Sequence, residues 1–503
     1  MLRPLDLVVI VVYLIVIAAF GIYMGGKQSS TKDYYLGDRK LPWWAVCLSV
    51  VATESSALTV ISVPAVAYLG SFTYLQLAIG YLIGRILVAF VLLPRYYAGN
   101  LTTAYTFLGQ RFGGKMQSTT GVTFLFTRLL ADGVRLFATA IPIKVILDGY
   151  GIDASYWQII LAVAVITVIY TYIGGITSVV WVDTVQMGLY FVGGFIAIGF
   201  LLGGLPDGFM AQASEAGKTQ LLDFASNPLT NPYSFFTAVI AGSLFAMASH
   251  GADQIIVQRL LACRTQRDSQ KAVIGSAVIV GIQFAVFLVV GLLLWGYFNF
   301  QSPEALGLSR ADEVFPTFII EGLPAGLSGL LLVGIVAAAM STLSSSLNSL
   351  SSSTMIDLYE RLSGRALSDA QGLRLARVFT LVWAGVFVVF ASLFTGTDNP
   401  VVELGLGVAG LTYGGLLGAF FLGLFFRRVR QTDALVAFVV TIPVMVYVVF
   451  GTPIAFPLYT VIGVAIMLLI GGGLSLRHPG PAPGAGKSGG DAEDPERESS
   501  RED

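Results

Sequence analysis

The sequence predicts an all-α polytopic membrane protein of about 13 transmembrane helices, and three observations carry that prediction. Apolar runs of roughly 20 residues, enough to cross the hydrocarbon of a bilayer, recur from end to end of a 503-residue chain. Charged residues make up 12% of the chain, about half the share of ordinary soluble domains, and mean hydropathy is +0.78. Polarity inside the apolar runs is concentrated in a few places. The densest is Gly334 to Tyr359, GIVAAAMSTLSSSLNSLSSSTMIDLY. A water-soluble globule is excluded. The net charge of -1 names no partner; no basic block points to nucleic acid, and no His/Cys cluster to zinc. Cys47 and Cys263 are the two cysteines, both placed toward the reducing inner side, so no disulfide is expected.

The runs, in order, are 5–25, 44–69, 72–95, 118–147, 156–176, 180–204, 232–258, 272–299, 325–355, 373–396, 402–427, 433–451 and 456–476. The first lacks a basic flank and a small-residue cleavage site, so it reads as a retained helix. Basic residues fix the orientation. Lys27, Lys32, Arg39, Lys40, Arg95, Arg111, Lys115, Arg264, Arg267, Lys271, Arg361, Arg365, Arg427, Arg428 and Arg430 fall in one set of loops, and the alternate set holds Lys218 and Arg310. Positive-inside bias then puts the N-terminus outside and the C-terminus in the cytoplasm of a plasma (inner) membrane. Residues 1–25 form a leading helix and 26–43 a cytoplasmic loop. An extracellular loop, 205–231, separates two five-helix units, 44–204 and 232–427. Two C-terminal helices fill 428–476. The tail 477–503 is Pro, Gly, Ser and charge; it cannot bury a core and is predicted disordered.

Two spans should not stay continuous. In 44–69, Thr53, Glu54, Ser55, Ser56 and Thr59 interrupt the apolar run, and Pro64 removes a backbone donor. In 232–258 the interruption is Ala248-Ser249-His250-Gly251-Ala252-Asp253-Gln254. Each opens one of the five-helix units. Paired interrupted helices in corresponding positions mark a transporter's midplane site, where freed carbonyls suit a cation and freed amides an anion. The alternative for each is a kink satisfied by water or a neighbouring hydroxyl.

On the Ser-rich span, Ser341, Thr342, Ser344, Ser345, Ser346 and Asn348 form a polar stripe at helical spacing. Lipid offers such a stripe no partner. It serves either close helix packing or a cation held by neutral oxygens. Asn348 reads as an interhelical hydrogen bond, and His250 as a group bonded at the helix break. Arg85, Arg128 and Arg135 are cations within spans, hence functional candidates. Arg135 could grip a substrate carboxylate in bidentate fashion or pair internally with Asp132 or Glu54. Arg85 and Arg128 are open to snorkelling. Asp253 and Arg259 read as a pair near the inner mouth, and Asp357 and Tyr359 as caps of a helix end.

The chain resembles the sodium/solute symporter family, which includes sodium-coupled transporters of glucose, proline and sialic acid. The resemblance lies in TKDYYLGDRKLPWW (Thr31 to Trp44), ATESSALT, IGGITSVVWVDTVQ (Ile173 to Gln186), HGADQIIVQR (His250 to Arg259) and AAAMSTLSSSLNSLSSSTMIDLY (Ala337 to Tyr359). It implies a LeuT-like core of two inverted five-helix repeats. It places a main sodium site on carbonyls of Ala52, Ser55 and Ala338 with hydroxyls of Ser341 and Thr342. Five neutral oxygens would hold a monovalent ion weakly enough to release it. A second sodium site would use Asp183 with Ser344 and Ser345; Asp183 reads equally as a carboxylate capping a helix start. Substrate is placed beside the first break, against Glu54, Ser56 and Thr59, with Tyr74, Gln76 and Arg135 from neighbouring spans. Ala246, Ser249 and His250 stand where sugar-transporting relatives use amides and aromatics, which argues against a glucose-type substrate.

The expected function is sodium-coupled symport of a small polar organic solute (a sugar, sialic acid or other organic acid) by alternating access, by a monomeric chain in the bilayer. Sodium is the co-transported ion. Proton coupling through Glu54, Asp132 or Asp183 is the alternative. A channel would need a continuous polar lining, and a sensor a module after the last span. An enzyme would need a paired-Asp, metal or Ser/His arrangement that is absent at membrane depth.

Overall fold

The computed structural model describes residues 4–55, 57–149, 151–364, 367–394 and 400–478. Ser56 and the tail beyond His478, both subjects of the sequence analysis, lie outside the described residues. Among those described every regular element is helical, apart from an isolated bridge between Leu41 and Cys263. Eight helical stretches are long and apolar enough to cross a membrane, or nine with one bent pair counted as a span.

Helix α1 (Pro4–Gly25) lies at the perimeter, exposing Val8, Val11, Val12 and Ile15. In its first turn Asp6 Oδ1 accepts from the amides of Gly326 (2.7 Å) and Gly329 (2.8 Å), so a carboxylate faces the start of a helix that begins at Leu327. Negative charge there is favoured by the helix dipole. Helix α2 (Thr31–Leu36), capped by Ser30, lies in the connection after α1. Its Tyr34 hydroxyl donates to the Thr171 carbonyl (3.2 Å).

The first interrupted span is α3 (Trp43–Glu54) followed by α4 (Ala57–Leu69), bent by 64°. Ser55, at φ -81° and ψ 86°, has left the helix. The break comes well before Pro64, which sits inside α4. Polar residues at the junction mark it; the proline does not make it. Helices α5 (Gln76–Leu87) and α6 (Leu93–Ala98) are joined by a π-helical turn, Val88–Leu92. Helix α7 (Ala104–Phe112) is capped by Thr103, and α8 (Gly114–Gly149) follows.

Helix α9 (Tyr156–Leu202) has 47 residues, about 70 Å of helix and more than twice the hydrocarbon thickness. It is two helices meeting at Gly175, where φ is +54° and ψ -145°. The loop expected at 177–179 is not there; one glycine makes the connection. A Cβ at that position would fall 2.3 Å from the Tyr34 carbonyl oxygen, so both conformation and space demand glycine.

Helix α10 (Phe209–Glu215) rides on the long loop after α9. Beyond it Lys218 Nζ donates to the carbonyls of Tyr68 (2.6 Å) and Gly70 (3.3 Å), tying the loop to the end of α4. Burial holds the Lys218 ammonium below the usual lysine range.

The second interrupted span is α11 (Gly242–Gly251) then α12 (Gln254–Leu261), preceded by a π turn, Thr237–Ala241. Asp253 stands in the break and caps α12, accepting from Ile255 N (3.0 Å). Helix α13 (Gln266–Tyr297) packs against α3, α4 and α5, and α14 (Val314–Glu321) lies beyond it. Helix α15 (Leu327–Ser353) is the axis of the bundle: every residue from Leu331 to Ser353 is buried. A π turn, Thr354–Glu360, leads to the short α16 (Arg361–Ser363). Helix α17 (Asp369–Ser392) opens with a Ser368–Gln371 capping box. Helices α18 (Pro400–Phe425), α19 (Gln431–Gly451) and α20 (Phe456–Ser475) close the chain, α18 packing on α20 and α8.

Candidate substrate and ion site

The two breaks, α8 and α15 meet around a cavity of about 200 Å³. Thr53, Glu54 and Thr59 reach it from the first break, and Ser249, His250, Ile255 and Ile256 from the second. Arg128, Asp132 and Arg135 come from α8, and Thr342, Ser345 and Ser346 from α15. Tyr74, Tyr81, Phe245, Phe284 and Tyr413 complete the wall. Of the expected substrate residues, Glu54, Thr59, Tyr74 and Arg135 line this space. Gln76 does not. Its amide nitrogen donates to the Tyr233 carbonyl (2.8 Å) and its oxygen accepts from Asp223 N (3.2 Å), so it anchors the loop between α10 and α11.

Around the cavity three carboxylates, Glu54, Asp132 and Asp253, meet three guanidiniums, Arg85, Arg128 and Arg135. Arg85 does not snorkel. It is fully buried, pairs with Glu54 and donates to Ser276 Oγ (2.7 Å). Arg128, equally landlocked, pairs with Asp253 and lies 3.5 Å from Asp132. That corrects the expected Asp253–Arg259 pair, since Asp253 turns toward α8. Arg135 lies 3.4 Å from Asp132, and its side chain is 28% exposed against 8% for Arg128. His250 sits at the break as expected, its Nδ1 2.8 Å from Ser249 Oγ. Its buried Nε2 has no hydrogen-bond partner among the described residues and lies 3.7 Å from Glu54 Oε2.

The oxygens assigned to sodium sit where α3 ends and α15 passes. A helix end leaves its last carbonyls without intrahelical partners, and Ala52 and Ser55 occupy that last turn and cap. Thr53 Oγ1 lies 3.3 Å from Ser345 Oγ, so the broken end touches the Ser-rich helix. Ala338, Ser341 and Thr342 are buried on that helix. Ser341 donates to Asp183 Oδ1 (2.7 Å), which spends its proton and leaves its lone pairs able to face a cation. Ser55 Oγ donates to Gln283 Oε1 (2.7 Å).

Asp183 caps nothing. It lies inside the second half of α9, fully buried, accepting from Ser49 Oγ (2.6 Å) and paired with Arg259 Nη2 (3.2 Å). The same guanidinium nitrogen lies 2.5 Å from Ser345 Oγ, and Ser344 donates to the Ser341 carbonyl (3.1 Å). Arg259 therefore stands among the oxygens that a second sodium would use. Asp357 is buried as well, accepting from Thr103 (2.7 Å), Gln117 (2.8 Å) and Ser353 (2.8 Å), and so ties α15's C-terminal end to α7 and α8. Asn348 makes its interhelical bond, to Gln258 (2.5 Å).

Sequence reasoning passed over Gln283, and it offered Asp132 as a partner of Arg135 or a proton carrier but not as a contact of α15. Gln283 carried a signal, being a lone amide in the apolar run VIVGIQFAVFL. The contact of Ser346 with Asp132 (2.6 Å) carried none, because it joins helices far apart in the chain.

A model of the sodium:solute symporter family matches residues 34–441. The chain is 30% identical to the sodium/sialic acid symporter NanT of Aliivibrio fischeri, across 93% of this chain and 92% of that one. It is 29% identical to the human sodium/iodide cotransporter, across 84% of this chain and 66% of the other. Among solved structures, a substrate-bound, outward-open Na+-coupled sialic acid symporter superimposes with a TM-score of 0.83 at 27% identity. That likeness covers 95% of this chain and 98% of the other. Interrupted helices facing a hydroxyl-rich one, around a small charged cavity, thus occur in a chain that belongs to the sodium:solute symporter family: a sodium-coupled membrane transporter of a small organic solute.

Proposed function

We propose that the transported solute is a small organic acid whose carboxylate is received by Arg135. The carrying observation is the placement of Arg135: it lines the cavity, and it is the least buried of the three guanidiniums there. With Arg135 counted, the three carboxylates and three guanidiniums cancel, so an anion entering with one sodium adds no net charge to a low-dielectric space. At about 200 Å³ the space is below the range of drug-sized pockets, which favours a compact solute. His250 Nε2, unpartnered beside Glu54, offers a polar contact for a hydroxyl or amide elsewhere on it. Sialic acid, for which the Aliivibrio fischeri relative and the solved symporter are named, carries both features.

In this reading the ion binds first, at Ala52, Ser55, Ala338, Ser341 and Thr342, and joins α3's broken end to α15. Each sodium moving inward across 100 mV contributes about 2.3 kcal/mol. One site suffices. Arg259 already neutralises Asp183, so the second site at Asp183, Ser344 and Ser345 is left out. Thirteen crossings place the N-terminus outside. The breaks at Ser55 and at Ala252–Asp253 each open one inverted five-helix repeat, 44–204 and 232–427.

Uptake into proteoliposomes tests this. Radiolabelled N-acetylneuraminate and short monocarboxylates should enter with a sodium gradient, and neutral hexoses should not compete. Arg135→Gln should raise the half-saturating substrate concentration by roughly ten- to a hundredfold, the worth of a charged hydrogen bond. Uptake driven by a proton gradient at equal sodium would overturn the coupling, and an unaffected Arg135→Gln the anion reading. Ser341→Ala or Thr342→Ala should each shift sodium activation to higher concentration while the protein remains folded. Unchanged sodium activation would count against the assigned oxygens.

A further inference from the structure

We propose that Asp132 is the positioning residue through which an ion on α15 controls the substrate arginine. The inference rests on the reading of Arg135 as the carboxylate receptor. Asp132, 3% exposed, faces two ways. Its Oδ2 accepts from Ser346 Oγ at 2.6 Å, while its Oδ1 lies 3.4 Å from Arg135 Nη1 and 3.5 Å from Arg128 Nη1. The first contact is a firm hydrogen bond. The other two are long, since a charged N–H···O contact closes to about 2.7–2.9 Å when nothing restrains it.

Ser346 follows Thr342 by one helical turn, so the two hydroxyls share a face of α15, and both line the cavity. Arg128 has other partners in Asp253 and the Tyr413 hydroxyl (2.8 Å). Among the described residues, Asp132 is the one carboxylate within ion-pair distance of Arg135. A substrate carboxylate and Asp132 therefore compete for the same guanidinium. With an ion at Thr342, α15 is fixed, Ser346 keeps its hold and Asp132 stays back from Arg135. Without the ion that hold loosens, and Asp132 closes on Arg135 in the substrate's place. Linkage makes the effect reciprocal, so substrate tightens sodium by the factor by which sodium tightens substrate.

The test measures half-saturating N-acetylneuraminate at low and at saturating sodium, by uptake and by thermal shift of the full chain. In the wild type the value should fall by at least roughly fivefold as sodium saturates. Asp132→Asn should be tight already at low sodium and flat with sodium. Ser346→Ala should be weak and equally flat. Ser346→Cys, keeping a feebler donor, should fall between Ser346→Ala and wild type, and Asp132→Glu should restore part of the sodium dependence. A merely structural role would weaken both Asp132→Asn and Ser346→Ala in the same direction. Wild-type coupling surviving unchanged in those two variants overturns this inference alone. Sodium-independent binding by the wild type would overturn both it and the sodium coupling, whereas an unaffected Arg135→Gln would overturn the organic-acid reading on which it rests.

Discussion

Asp183→Ala should cost about 3–5 kcal/mol of stability, the penalty for leaving one member of a buried ion pair uncompensated. Asp183 and Arg259 are both 0% exposed, so no solvent screens the orphaned guanidinium. Ser49 and Ser341 would also lose their acceptor. Thermal unfolding in detergent would measure the loss, and sodium activation should weaken in parallel because nothing then orients the Ser341 hydroxyl. The pair Asp183→Leu with Arg259→Met should recover most of the stability, as apolar replacements of whole buried pairs do, but not the sodium response. A single variant as stable as wild type would show that water reaches Arg259.

Gly84→Leu should abolish the folded, monodisperse protein altogether. A Cβ at Gly84 would lie 2.2 Å from the Ser243 carbonyl oxygen and 2.9 Å from Ala246 Cβ; at Gly80 it would meet the Ala238 carbonyl at 2.3 Å. Gly80 and Gly84 form a small-xxx-small face on α5 that lets α11 come in backbone to backbone. The obstructing atoms are main chain and cannot rotate away, so α11 would have to move and take the second break with it. Overpacked side chains alone cost about 1–3 kcal/mol; a displaced helix costs more. Gly84→Ala should give a measurable drop in melting temperature by the same route. Size-exclusion profiles and thermal melts of both variants check this. A folded Gly84→Leu would mean that the α5–α11 contact is not as close as described.

The sequence made both interruptions visible because polar residues have nowhere to hide in an apolar run. Ser55 and Asp253 fall within the stretches so marked. It also showed that the Ser-rich helix must be enclosed, and α15 is the most buried of the long apolar helices among the described residues. Pairing was another matter. Arg259 lies six positions from Asp253 and invites a local match, yet Asp253 turns to Arg128 and Arg259 to Asp183. Nothing local separates these choices, because they are settled by which helices touch. Gln76 misled for a related reason. A polar residue near a span's end looks like a ligand until the loop folding over it, through Asp223 and Tyr233, is seen to claim its amide.

The joint at Gly175 has a practical corollary. A turn made of one left-handed residue, pressed on the Tyr34 carbonyl, offers no room for an epitope, protease site or spectroscopic label. Reporters of movement at that end of the bundle belong on neighbouring loops, with the glycine knuckle as their fixed reference point.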